Sequence, residues 1–186
     1  RDLVNTRDLL NGTDSLAAAD GLAAFAHDHG LTGLALAKRD LPDVIRLREW
    51  LRAACLAHAG VPMPRKTADG PAEPLRRAPL VVVLDRAGEA RLVPADGLTG
   101  VAALTARIAA AVATAAADGT WPRLKACEAS DCRWAYYDRS PAGRRRWCAM
   151  SVCGSRAKMR AYRARRSSGN GGTEERDVPP SPADPR

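Results

Sequence analysis

Four of the five cysteines fall into two pairs of identical internal spacing, Cys127–Cys132 and Cys148–Cys153, each C-x4-C, with fifteen residues between the pairs. Two short loops that each offer two thiolates suit Zn²⁺, a soft cation that takes four ligands in a tetrahedron. A four-thiolate set leaves no open coordination position, so the expected zinc is structural rather than catalytic. Structural zinc supplies on the order of 10–16 kcal/mol of apparent binding free energy in small fingers, enough to fold a unit too small to bury a core. Composition agrees: six of the eight aromatic residues lie between Trp121 and Tyr162, as in a small unit packed around a metal. The competing readings are unrelated buried thiols, a disulfide pair, which a reducing compartment disfavours, and a redox-responsive finger, for which nothing specific speaks. Cys55 falls on the apolar face of a separate helix and reads as a core residue.

Charge is as unevenly placed as the cysteines. The chain of 186 residues carries a net +8, yet residues 1–122 hold 14 basic and 14 acidic side chains. Residues 123–166 hold 13 basic and 3 acidic, and residues 167–186 hold 2 and 4. The whole excess therefore sits beside the cysteines, and a concentrated positive potential attracts polyanions. No eighteen-residue apolar stretch is free of charge and no charged start precedes an apolar run. A cytoplasmic location with no membrane partner is the expectation.

Residues 1–122 read as a mainly α domain with one β-hairpin. Leu3, Val4, Leu9 and Leu10 form an apolar start before the turn Asn11–Asp14. Asp20 and Gly30 bracket a helix that ends near His29. The clearest helix spans 41–59, with Val44, Leu47, Leu51, Ala54, Cys55 and His58 near one face and Arg46, Arg48 and Arg52 elsewhere. Asp40 with Asp43 resembles a capping pair, Pro42 sits in the first turn and Gly60 ends the helix. Residues 61–78 read as a loop, Leu80–Leu84 and Ala90–Val93 as a hairpin across Asp85–Gly88, and 98–117 as a long Ala-rich helix. Trp121-Pro122 hands over to the cysteine module, and the tail from Ser167 reads as disordered.

The run Cys127-Glu-Ala-Ser-Asp-Cys132-Arg-Trp-Ala-Tyr-Tyr-Asp138-Arg-Ser140, followed by Arg144-Arg-Arg-Trp147-Cys148-Ala-Met-Ser-Val-Cys153-Gly154-Ser155-Arg156-Ala-Lys158, resembles the CGNR-type zinc finger. That finger typically follows an ABATE domain, which residues 1–122 resemble through Leu3-Val4-Asn5-Thr6 and Leu47-Arg48-Glu49. The resemblance implies a small four-cysteine zinc finger of two knuckles and a basic helix, and a stress-induced bacterial transcription regulator. Ser155 stands where the motif that names the finger has Asn. Ser adopts left-handed backbone and bonds neighbouring amides less readily, so a specific role for that Asn would be weakened here.

Behind Cys153 no acidic residue occurs up to Arg166. A helix there would line up Arg156, Arg160 and Arg163 on one side and turn Met159 and Tyr162 back onto the knuckle. Arg144, Arg145 and Arg146 would form a second basic group fixed by the same metal. Arg139 and Lys158 complete the candidates for nucleic-acid contact. Trp134, Tyr136 and Tyr137 could stack on unpaired bases, but their alternation on a strand fits hydrophobic core better. Asp138 and Ser140 are expected to shape the turn between the knuckles.

No phosphate loop, nucleophile elbow or dinucleotide fingerprint is present, so no enzyme is expected. His27 and His29 read as surface residues, His58 as a satisfied core residue. The expectation is a zinc-finger DNA-binding regulator whose residues 1–122 sense a ligand or mediate a dimer. An RNA-binding finger protein and a protein-interaction adaptor are the alternatives.

Overall fold

The computed structural model describes residues 1–65, 75 and 78–169. Most of the loop expected over 61–78 lies outside the described residues, as does the tail expected from Ser167 except for residues 167–169, which continue the last helix instead. The principal helices and strands are α1 (Asp2–Asn5), β1 (Arg7–Asp8), β2 (Thr13–Asp14), α2 (Gly21–Asp28), α3 (Leu41–His58), β3 (Leu80–Leu84), β4 (Ala90–Pro94), α4 (Gly100–Ala117), β5 (Leu124–Ala126), β6 (Ala135–Tyr137) and α5 (Ser155–Gly169). Each sheet is a two-stranded antiparallel pair. The expected hairpin is β3–β4, in the register Val82↔Leu92. A second, two-residue ladder joins β1 to β2 through Asp8↔Thr13 and was not expected; its turn is closed by Asp8, whose carboxylate accepts from Leu10 N at 2.9 Å and Asn11 N at 3.1 Å.

The main core gathers Leu3 and Val4 of α1, Leu16, Leu22 of α2, Leu34, Val44, Leu47 and Leu51 of α3, and Ala103 and Leu104 of α4. A short helix such as α1 is marginal alone and is held by burying Leu3 and Val4. Pro42 lies in the first turn of α3, as expected, but Asp40 makes no side-chain cap to that helix; its Oδ2 accepts from Ala37 N at 2.9 Å instead. Helix α4 is long and apolar enough to cross a membrane by length and composition. It carries Arg107 midway, and Leu104, Thr105 and Ala106 are buried within the domain.

Arg48 and Arg52, placed off the apolar face of α3, are nonetheless buried among its residues, at 1% and 5% exposure. Arg48 forks onto Asp14, with N···O distances of 2.8 and 2.9 Å, and also bonds Glu49 Oε1 at 2.9 Å. Partial burial pushes the Asp14 carboxyl up, but the pairing with Arg48 more than offsets it and leaves the pKa below its ordinary value. Four residues apart, the two arginines share one face of the helix and are tolerated there because each guanidinium is fully answered.

Arg52 joins the two halves of the chain. It donates to Val4 O at 2.7 Å on one side and to Arg133 O at 2.9 Å on the other. His58 Nδ1 lies 2.8 Å from Leu124 O, with its ring edge-on to Trp121 at 5.0 Å, and is the satisfied residue expected. Ala135 of β6 belongs to the main core itself. The β5–β6 hairpin is therefore seated on α1 and α3, and positions the cysteine module rigidly on the helical half.

Candidate metal centre and nucleic-acid interface

The first knuckle leaves β5 at Cys127. Cys127 N donates to Trp134 O at 2.9 Å, while Cys132 N and Arg133 N both turn back to Ala129 O at 3.0 and 3.1 Å. Arg133 takes left-handed backbone, φ 54°, to complete the turn. The second knuckle is a π-turn over Met150–Gly154, in which Cys153 N and Gly154 N share Ala149 O. A Cβ on Gly154 would come within 2.6 Å of Met150 Sδ, so glycine suits the turn. Ser155, in the place of the family Asn, donates its hydroxyl to Met150 O at 3.1 Å and opens α5.

These turns bring the four sulfurs of Cys127, Cys132, Cys148 and Cys153 within 4.8 Å of one another. Cys148 Sγ lies 3.7 Å from both Cys132 Sγ and Cys153 Sγ. A tetrahedron with Zn–S bonds of about 2.3 Å has edges of about 3.8 Å, so the cluster fits zinc. Left to themselves the thiols cannot all ionise. A hydrogen bond from Cys132 holds the Cys127 thiol down, whereas burial and then the charge of Cys127 push Cys148 up. A divalent cation lets all four be thiolates together. Cys55 stands apart, wholly buried in the helical half, and burial raises its thiol to about 11.

Between the knuckles, residues 138–146 wind around a buried carboxylate. Asp138 Oδ1 accepts from Ser140 Oγ at 2.6 Å and Ser140 N at 3.0 Å; Oδ2 accepts from Arg145 N at 2.8 Å and faces Lys125 Nζ at 3.1 Å. Burial pushes the carboxyl pKa up, but these bonds more than offset it and hold Asp138 well below the usual range. Asp138 and Ser140 do shape this turn. Lys125, buried with Asp138, was missed, although its place between Leu124 and Ala126 on a short strand beside Cys127 offered a signal.

The basic candidates separate into two groups. Arg145 is turned inward: it donates to Cys148 O at 2.7 Å and lies 5.2 Å over the Tyr136 ring. Arg146 pairs with Glu128. Arg156 is braced to Asp131 at 3.3 Å and to Cys153 Sγ at 3.5 Å, the kind of outer bond that orients a metal ligand. Arg160 reaches the same Asp131 at 4.0 Å. Of the row expected from Arg156, Arg160 and Arg163, the first two reach Asp131, while the Arg160 side chain stays 53% exposed. Arg139, Arg144, Lys158, Arg163 and Arg165 are exposed and make no side-chain hydrogen bond or ion pair among the described residues.

Two aromatic expectations are corrected. Met159 and Tyr162 do not pack back on the knuckle: they are 51% and 47% exposed, because α5 leaves the finger after its first turn. Tyr136 is core, its hydroxyl donating to Arg145 O at 2.7 Å. Trp134 and Tyr137 are not; they line a cleft against α1 and α2.

Fold and site define a two-part protein in which a four-cysteine zinc finger is docked on a helical domain. The chain belongs to the ABATE family, described as "Putative stress-induced transcription regulator", which matches residues 1–119. The CGNR zinc finger matches residues 123–166. Both are regulatory or zinc-finger types rather than enzyme families, and together they point to regulatory nucleic-acid binding. No curated protein matches the chain.

Proposed function

We propose that the protein is a zinc-finger transcription regulator that binds duplex DNA through α5 and the adjoining loop, with residues 1–122 sensing a ligand or mediating assembly. One observation carries the reading. From Lys158 to Ser167 helix α5 is exposed on every side, bears Lys158, Arg160, Arg163, Arg165 and Arg166, and has no acidic residue. A helix that leaves even its large apolar side chains, Met159 and Tyr162, in solvent gains little from its own chain. A polyanion supplies what it lacks, and the major groove of DNA admits a helix of this kind.

Arg144, Lys158, Arg163 and Arg165 make the contacts, since their charges are unanswered. Arg145, Arg146 and Arg156 hold the finger together and contribute potential rather than direct contact. Binding is measured by fluorescence anisotropy against duplex DNA, single-stranded DNA and RNA over a range of salt. The proposal expects duplex DNA to bind best, with affinity falling linearly on a log–log salt scale. Replacing Lys158, Arg163 and Arg165 together by Gln is expected to lower the magnitude of that slope by about 2–3 while zinc content stays unchanged. Preference for RNA selects the RNA-binding alternative. Failure of all three nucleic acids to bind at low salt selects the adaptor.

A further inference from the structure

We propose that the cleft between α2 and β6 binds a small planar aromatic anion. The inference deepens the sensing role assigned to residues 1–122 and does not depend on DNA binding. The cleft has a volume of about 610 Å³, inside the roughly 300–1,000 Å³ of small-molecule sites. Its two walls come from the two halves of the chain. Phe25 of α2 and His29 just beyond it, rings 4.5 Å apart and inclined at 45°, form one; Trp134 and Tyr137, just before and at the end of β6, form the other. Asn5, locked to Ala135, also lines it.

Aromatic area is scarce in this chain, whose core is Leu, Val and Ala. Leaving Trp134 and Tyr137 at 37% and 40% exposure in a concave site, rather than in that core, forgoes burial that a flat ligand between the walls would restore. The charges lining the cleft select the sign of that ligand. Asp2 is answered by Arg1 at 2.8 Å and the Asp28 side chain is 72% exposed to solvent, whereas Arg139 has no partner among the described residues. A carboxylate or phosphate on the ring would pair with Arg139. Because both halves contribute walls, occupancy bears directly on the seat of the finger.

The test is calorimetric titration of the zinc-loaded full chain, without DNA, with 1-naphthoate, indole-3-carboxylate and AMP, and with neutral 1-naphthamide. Saturable binding of at least one anion at one site per chain is expected. Trp134→Ala and Tyr137→Ala should each weaken it about tenfold, in keeping with loss of one stacking partner. Arg139→Gln should weaken the anions and leave the amide unchanged. Unaltered far-ultraviolet dichroism and zinc content show that the variants fold. The proposal is overturned by no saturable binding of any probe, or by binding that all three variants leave untouched. Loss of DNA affinity in Trp134→Ala without probe binding also overturns it and assigns these rings to the nucleic-acid surface. Probe binding by a chain that fails to bind DNA supports the cleft and removes only the DNA reading.

Discussion

The side-chain amide of Asn5 commits both of its hydrogen bonds to Ala135, accepting from its N–H at 2.7 Å and donating to its C=O at 3.0 Å. An asparagine on the first helix thereby satisfies the outer edge of β6 as a neighbouring strand would. It couples the N-terminal segment to the metal-bearing half across a sequence separation of 130 residues. With Arg52, which bonds Val4 O and Arg133 O at once, it makes the two halves one mechanical unit.

Asn5→Ala removes both bonds and leaves the Ala135 peptide without its partner. The expected cost is about 1–3 kcal/mol of global stability, read as a lowered urea midpoint at unchanged m-value. A midpoint equal to wild type would show that the amide is not a structural link.

Because Ala135 sits in the main core, metal loss should be felt beyond the finger. Cys148→Ser, or chelation of the wild-type protein, is expected to lower the melting temperature of the whole chain in calorimetry. The sequence alone suggests a helical half that melts on its own; the shared core argues otherwise. An N-terminal transition that keeps its temperature after chelation would contradict the coupling.

Asp138→Asn keeps the shape of the buried carboxylate but leaves Lys125 charged with no counter-charge, its ammonium held only by the Gly143 and Arg145 carbonyls. Breaking such a pair costs about 3–5 kcal/mol. The folded-state pKa of Asp138 is depressed, so the contribution of its charge is fully present above the unfolded value of about 4 and is lost as pH falls through the folded value. The stability gap between wild type and variant, measured by denaturant titration, should be constant near neutrality and narrow below about pH 4. A gap that widens on acidification would refute the assignment.

Arg48→Lys tests the other buried ion pair. A point charge cannot reproduce the two parallel bonds to Asp14 together with the bond to Glu49. Destabilisation of about 1–3 kcal/mol is expected from the loss of charge-assisted bonds between the buried Arg48 and two part-buried carboxylates. No loss in chemical denaturation would mean that lysine satisfies the site equally.

The metal centre was legible because its signal is local: two knuckles of fixed spacing announce four ligands whatever surrounds them. The same holds for α3 and α4, whose apolar periodicity placed them to within two residues. What could not be read are long-range matters. Arg48 and Arg52 look like surface charges until Asp14, Val4 and Arg133 arrive from distant segments to answer them. Met159 and Tyr162 suggest a buried helix face, yet nothing in a one-dimensional pattern says that α5 departs from the finger. That Asp131 would pair with the first two arginines of the row is likewise invisible in the pattern. Trp134 and Tyr137 alternate with Tyr136 as core residues would, but the second wall of their cleft is contributed by α2, more than a hundred residues earlier.

Elemental analysis of the purified chain, combined with titration of its thiols under native conditions, reaches the centre of the account. One zinc per chain is expected, with Cys127, Cys132, Cys148 and Cys153 unreactive until chelator or denaturant is added. A preparation that is folded, free of metal and open to thiol reagents at all four positions would contradict it.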